Sequence, residues 1–77
     1  MVDPSQIREH MEIVGSNGQH FAIVDEVEHG AIKVTKDAQG QHHYIPLAWV
    51  ERVDQEVHLN RPGDQVMREW TVSPPQQ

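Results

Sequence analysis

Cysteine is absent from this 77-residue chain, which excludes disulfides and every thiolate metal site. A chain this short buries only about 60% of the surface that its unfolded form exposes. Disulfides, a metal or oligomerisation usually supplement so small a core. With the first removed, an economical core, a histidine/carboxylate metal site or a partner subunit remain. Basic charge is scarce as well. Six Lys and Arg stand against twelve Asp and Glu, for a formal charge of −6. The six are scattered at Arg8, Lys33, Lys36, Arg52, Arg61 and Arg68. Nucleic-acid binding draws on a basic face that displaces counterions from phosphates, so direct nucleic-acid contact is disfavoured. Anionic membrane surfaces are disfavoured for the same reason. No apolar run approaches the roughly 20 residues of a membrane span. Met1-Val2-Asp3-Pro4 shows no basic segment leading into an apolar one, so no secretory signal is expected and a cytoplasmic protein is.

What the chain does contain, from Glu12 to Leu59, is a series of short strand patterns and tight turns. Asp3 and Pro4 predict a helical turn over residues 3–10, with Ile7 and Met11 on one face. Ser16-Asn17-Gly18 supplies a hairpin turn. Phe21, Val24 and Val27 are three apart, so a strand there needs a bulge to point all three inward. Glu28-His29-Gly30 marks the next turn, and Ala31 to Lys36 alternates with Ile32 and Val34 inward. After the polar turn Asp37-Ala38-Gln39-Gly40, a strand is predicted from His42 to Ile45, ended by Pro46. Leu47-Ala48-Trp49-Val50 reads as one helical turn plugging a barrel. Short strands follow at Glu51 to Val53 and Val57 to Leu59. Val66, Met67 and Trp70 share one face of a final short helix. The expectation is an all-β, six-stranded small barrel over residues 1–70, and a disordered polar tail over 71–77.

The order of these signals resembles the PRC-barrel superfamily. The matching residues are Gly15-Ser16-Asn17-Gly18, Phe21-Ala22-Ile23-Val24-Asp25, and Tyr44-Ile45-Pro46-Leu47 followed by Trp49-Val50. A small bacterial family of uncharacterised PRC-barrel-like proteins is similar to the phrases Gly40 to Leu47 and Val57 to Asn60. The resemblance spans roughly residues 10 to 70. Ala22 departs from it, since a second glycine is common there in the superfamily. The superfamily includes the cytoplasmic domain of the photosynthetic reaction centre H subunit and the C-terminal domain of a ribosome maturation factor. The resemblance implies a docking or assembly role, with no catalysis and no cofactor. By analogy with the maturation factor, it also implies association with ribosomal RNA or a ribosomal protein as an alternative.

Histidine offers the most chemistry. His42 and His43 are adjacent on a strand, so they point to opposite faces and cannot chelate one ion together. A metal site would need one of them beside His20, His58 or a carboxylate such as Asp25. The plain alternative is a packed rim histidine and a solvated one. Ser5, Ser16 and Ser73 lie in no nucleophile elbow. Asp25, Glu26 and Glu28 form a carboxylate cluster of the kind that solvent usually covers. Enzyme activity is therefore not expected. Val66, Met67 and Trp70 either cover an open barrel end or dock on another protein, a second copy included.

Overall fold

A computed structural model of the chain describes residues 4–28 and 30–72. It is mainly β. Six strands form one mixed sheet: β1 (Glu12–Val14), β2 (His20–Glu28), β3 (Ala31–Val34), β4 (Tyr44–Pro46), β5 (Val50–Val53) and β6 (Val57–Leu59). The strand order is β4-β3-β2-β1-β6-β5. All neighbours are antiparallel except β1 and β6, where Ile13 pairs with Val57 and Val14 with His58 in parallel. One helix, α1 (Gly63–Glu69), closes the fold.

The turns follow from glycine. Gly18, Gly30 and Gly40 all adopt positive φ, which a residue without a Cβ adopts at no steric cost. The anticipated irregularity of β2 takes the form of two register breaks. Ile13 pairs with Ala22 and Val14 with His20, which leaves Phe21 as an extra residue. A second break falls between Val24 and Glu26 against β3. Together they bend β2 so that it serves both halves of the sheet.

The barrel expectation needs correcting: the edge strands β4 and β5 do not pair, so the sheet remains open. It is nevertheless strongly rolled. Six flat strands would hold their edges about 24 Å apart. Pro46 and Val50, which end β4 and begin β5, are four peptide links apart and can separate by at most about 15 Å. The helical turn Leu47–Trp49 fills that link, but none of its three residues is fully buried. It borders the core rather than plugging it, and Val50 is the inward residue.

Other boundaries shift: β3 ends at Val34, short of Lys36, and β5 begins at Val50, one residue before Glu51. The N-terminal helical turn is a three-residue 3-10 turn, Pro4–Gln6, and its expected cap Asp3 lies outside the described residues. Strand β4 starts at Tyr44, not His42. Thr71 forms an antiparallel bridge with Tyr44, so the ordered chain runs past residue 70. Residues 73–77 of the expected tail lie outside the described residues.

The core collects Ile7, Ile13, Val24, Ile32, Val34, Ile45, Val50, Val57, Leu59 and Val66. Helix α1 reaches it by touching the first hairpin turn at a pair of glycines. A Cβ on Gly15 would collide with the Gly63 backbone nitrogen, and one on Gly63 would meet Phe21 at 2.9 Å. Ser16 N–H donates to the Arg61 carbonyl at 2.9 Å and fixes the approach.

Candidate functional site

The sheet's register sets the most concentrated chemistry on its outer face. Glu12 and Val14 are two apart on β1 and share a side. Val14 faces His20 across β2 and His58 across β6. Two histidines thus flank one valine, although they are distant in sequence. The β5–β6 turn adds two carboxylates. Asp54 folds it by accepting the Glu56 N–H at 2.9 Å, which directs Glu56 back over the same face.

His20 Nδ1 lies 3.2 Å from Glu12 Oε2 and 3.3 Å from Glu56 Oε2. His58 Nε2 donates to Asp54 Oδ1 at 2.9 Å and sits 3.9 Å from Glu56 Oε1. Arg52 is 3.1 Å from the other oxygen of Asp54. The Asp54 carboxyl is held below the usual carboxylate range, chiefly by the Glu56 N–H and then by His58. A cleft of about 390 Å³ opens here, lined by Val14, His20, Arg52, Glu56 and His58 among others. Glu12, His20 and Glu56, and likewise Asp54, Glu56 and His58, each bring three ligand-type atoms within 4.8 Å of one another. Of the sequence candidates His20, His42, His43 and His58, the first and last are assembled here.

His42 and His43 go elsewhere. His42 donates from Nδ1 to the Val34 carbonyl at 2.7 Å, and its nearest carboxylate, Asp25, is 3.9 Å away. His43 stacks on Trp70 with ring centroids 4.3 Å apart and planes 15° from parallel. Its Nε2 donates to Asp37 Oδ2 at 2.9 Å, while its buried Nδ1 finds no partner among the described residues. That bond is the main reason the Asp37 carboxyl sits below its ordinary range, followed by the Gln41 N–H. The carboxylates Asp25, Glu26 and Glu28 do not act as a group: Asp25 faces His42 and Glu26 faces Lys33 at 3.8 Å.

The helix face is divided. Val66 is wholly buried, so it cannot meet a partner. Trp70 is half-buried, packed against His43 and, at 5.9 Å, Phe21. Met67 is 39% exposed and Val72 55% exposed, and they flank Trp70 in the chain.

Glu12 and Glu56 were not singled out in the sequence. The turn Asp54-Gln55-Glu56 carried a signal for the second, but only the parallel β1–β6 pairing joins it to His20. Among the described residues no helix is long and apolar enough to cross a membrane.

Neither the curated proteins nor the solved structures contain a match to this chain. A family model described as "Uncharacterized protein conserved in bacteria (DUF2171)" matches residues 7–67. That span takes in all six strands and most of α1, and nothing in the match links it to the PRC-barrel superfamily. The chain therefore belongs to this conserved bacterial family.

Proposed function

We propose that the domain is a non-catalytic interaction module of the cytoplasm whose partner is a second copy of itself, met through the C-terminal end of α1. The carrying observation is the placement of exposed apolar surface. Among the described residues three large hydrophobic side chains are exposed, Ile23, Met67 and Val72. Two of them bracket the half-buried Trp70. Methionine and aromatic residues are enriched in interface cores, and a core this small gains from a subunit contact.

Kinship with the PRC-barrel superfamily belongs to the same proposal. It rests on the residues from Gly15 to Asp25 and from Tyr44 to Val50, and on a rolled six-stranded sheet. In that reading the domain is an open relative of the barrel, with the Leu47–Trp49 turn standing where closure would be. Such domains serve docking and assembly. RNA contact is left out because the formal charge of −6 opposes it.

Light scattering across a micromolar concentration series tests the reading. A mass rising to that of two chains is expected, with Met67→Glu and Val72→Glu each returning it to one. A single-chain mass at every concentration overturns it, and so does a dimer that both variants leave intact.

A further inference from the structure

We infer that the outer face of β1, β2 and β6 binds one divalent transition-metal cation, of the zinc class, through Glu12, His20 and Glu56. Two of the three ligand separations already match those around such an ion. Metal–ligand bonds of 2.0–2.1 Å in a tetrahedron place neighbouring ligand atoms about 3.3 Å apart. Here Glu12 Oε2 and Glu56 Oε2 lie 3.2 Å and 3.3 Å from His20 Nδ1, and all three atoms fall within 4.8 Å of one another.

The charges argue the same way. A ring nitrogen carries at most one hydrogen, so Nδ1 fully satisfies one of the two carboxylates and leaves the other facing it. Among the described residues neither Glu12 nor Glu56 has a Lys or Arg within ion-pair distance. Arg52, which lines the cleft, is taken by Asp54. A divalent ion in place of the Nδ1 hydrogen meets both carboxylates at once.

The three donors come from different parts of the chain, and two of the carriers are fixed. Glu12 and His20 stand on strands paired through Val14 and Ile13. Glu56 is held in the β5–β6 turn by Asp54, and its second oxygen faces His58. His58 acts as a positioning residue through Asp54: its Nε2 donates to the same Oδ1 that accepts the Glu56 N–H, which holds the turn carrying the ligand. One imidazole with two carboxylates and no thiolate suits zinc, cobalt or nickel better than copper(I), and the imidazole disfavours magnesium. His20 and Glu56 both line the cleft beside Val14, which gives an ion access from solvent.

The site is independent of the self-association proposed above, because Met67, Trp70 and Val72 contribute nothing to it. Calorimetric titration of the chelator-treated, dialysed protein with zinc chloride decides. One equivalent should bind, and His20→Ala or Glu56→Gln should weaken binding by at least about 100-fold. His10→Asn serves as control: His10 is exposed beside Glu9, and asparagine accepts its positive φ. It should bind as the parent does. Circular dichroism on each variant separates lost ligation from lost fold, since both altered side chains are partly solvated. No stoichiometric binding by the parent protein overturns the inference. So does binding that survives His20→Ala, or that His10→Asn abolishes.

Discussion

Asp37 illustrates how much a single exposed side chain organises. Its Oδ1 accepts the Gln39 and Gln41 N–H groups at 2.8 and 3.0 Å, and its Oδ2 accepts His43 at 2.9 Å. These bonds favour the ionised form, so folding lowers the carboxyl's pKa. The sign follows: the unfolded chain binds the proton more readily, so this contribution to stability is complete above the ordinary carboxylate pKa of about 4. It fades as pH falls from there through the depressed folded value. Asp37→Asn should therefore unfold at a lower temperature than the parent at neutral pH, and the gap should narrow towards about pH 2. Thermal melts across that range provide the check, and parallel curves would contradict the account. Asp54 keeps its own depressed carboxyl in the variant, so some acid sensitivity remains. The sequence showed part of this residue's role. The Asp-x-x-Gly turn was legible because its chemistry is local. The Asp37–His43 bond was not, since it depends on how the chain returns into β4, nor was the stacking of His43 on Trp70, which no local rule brings together.

Elements were legible wherever the pattern was local. The three-residue spacing of Phe21, Val24 and Val27 required a bulge, and β2 has two register breaks. The Leu47–Trp49 turn was legible as a helical turn and misread as a plug, because apolar residues at a link between edge strands can border a core without entering it. Helix α1 is the element most dependent on its surroundings. Seven residues are too few to hold a helix in water alone, so α1 exists through Val66, Trp70 and the backbone contact at Gly15 and Gly63. That contact requires the absence of a Cβ on Gly15, while a Cβ on Gly63 would press instead on the Phe21 and Gln19 side chains. Gly15→Ala should push α1 outward and cost about 1–3 kcal/mol, the usual range for overpacking. Urea denaturation followed by Trp fluorescence gives the figure, with Trp70 reporting on the helix itself. A cost under about 0.5 kcal/mol would mean that the turn and the helix yield to each other, and the contact would then be incidental.

For the whole molecule, the parallel pairing of β1 with β6 is the decisive feature and the least legible one. Strands β1 to β4 form a meander of local hairpins, and β5 with β6 forms another hairpin. Each could be anticipated from its turns. Nothing in a period-two pattern says which strand of the second unit joins which strand of the first, or in which direction. The join nonetheless sets both the core and the outer face, because it brings the fully buried Val57 into the apolar cluster and His58 beside Val14. Neither unit alone has an adequate core. A two-stranded hairpin is marginal by itself, and a domain of this size has only a few kcal/mol to share. The two units should therefore unfold together. In native-state hydrogen exchange, the slowest amides of β1 and β6 should open with a common free energy, equal to the global value from denaturant unfolding. The Thr71 N–H, which reaches the Tyr44 carbonyl at 3.4 Å on the sheet's edge, should exchange through a much cheaper local opening. If β6 were to exchange well before β1, the hairpin would be detaching from the meander. The fold would then be two weakly coupled pieces, and the histidine–carboxylate face would form only while they remain joined.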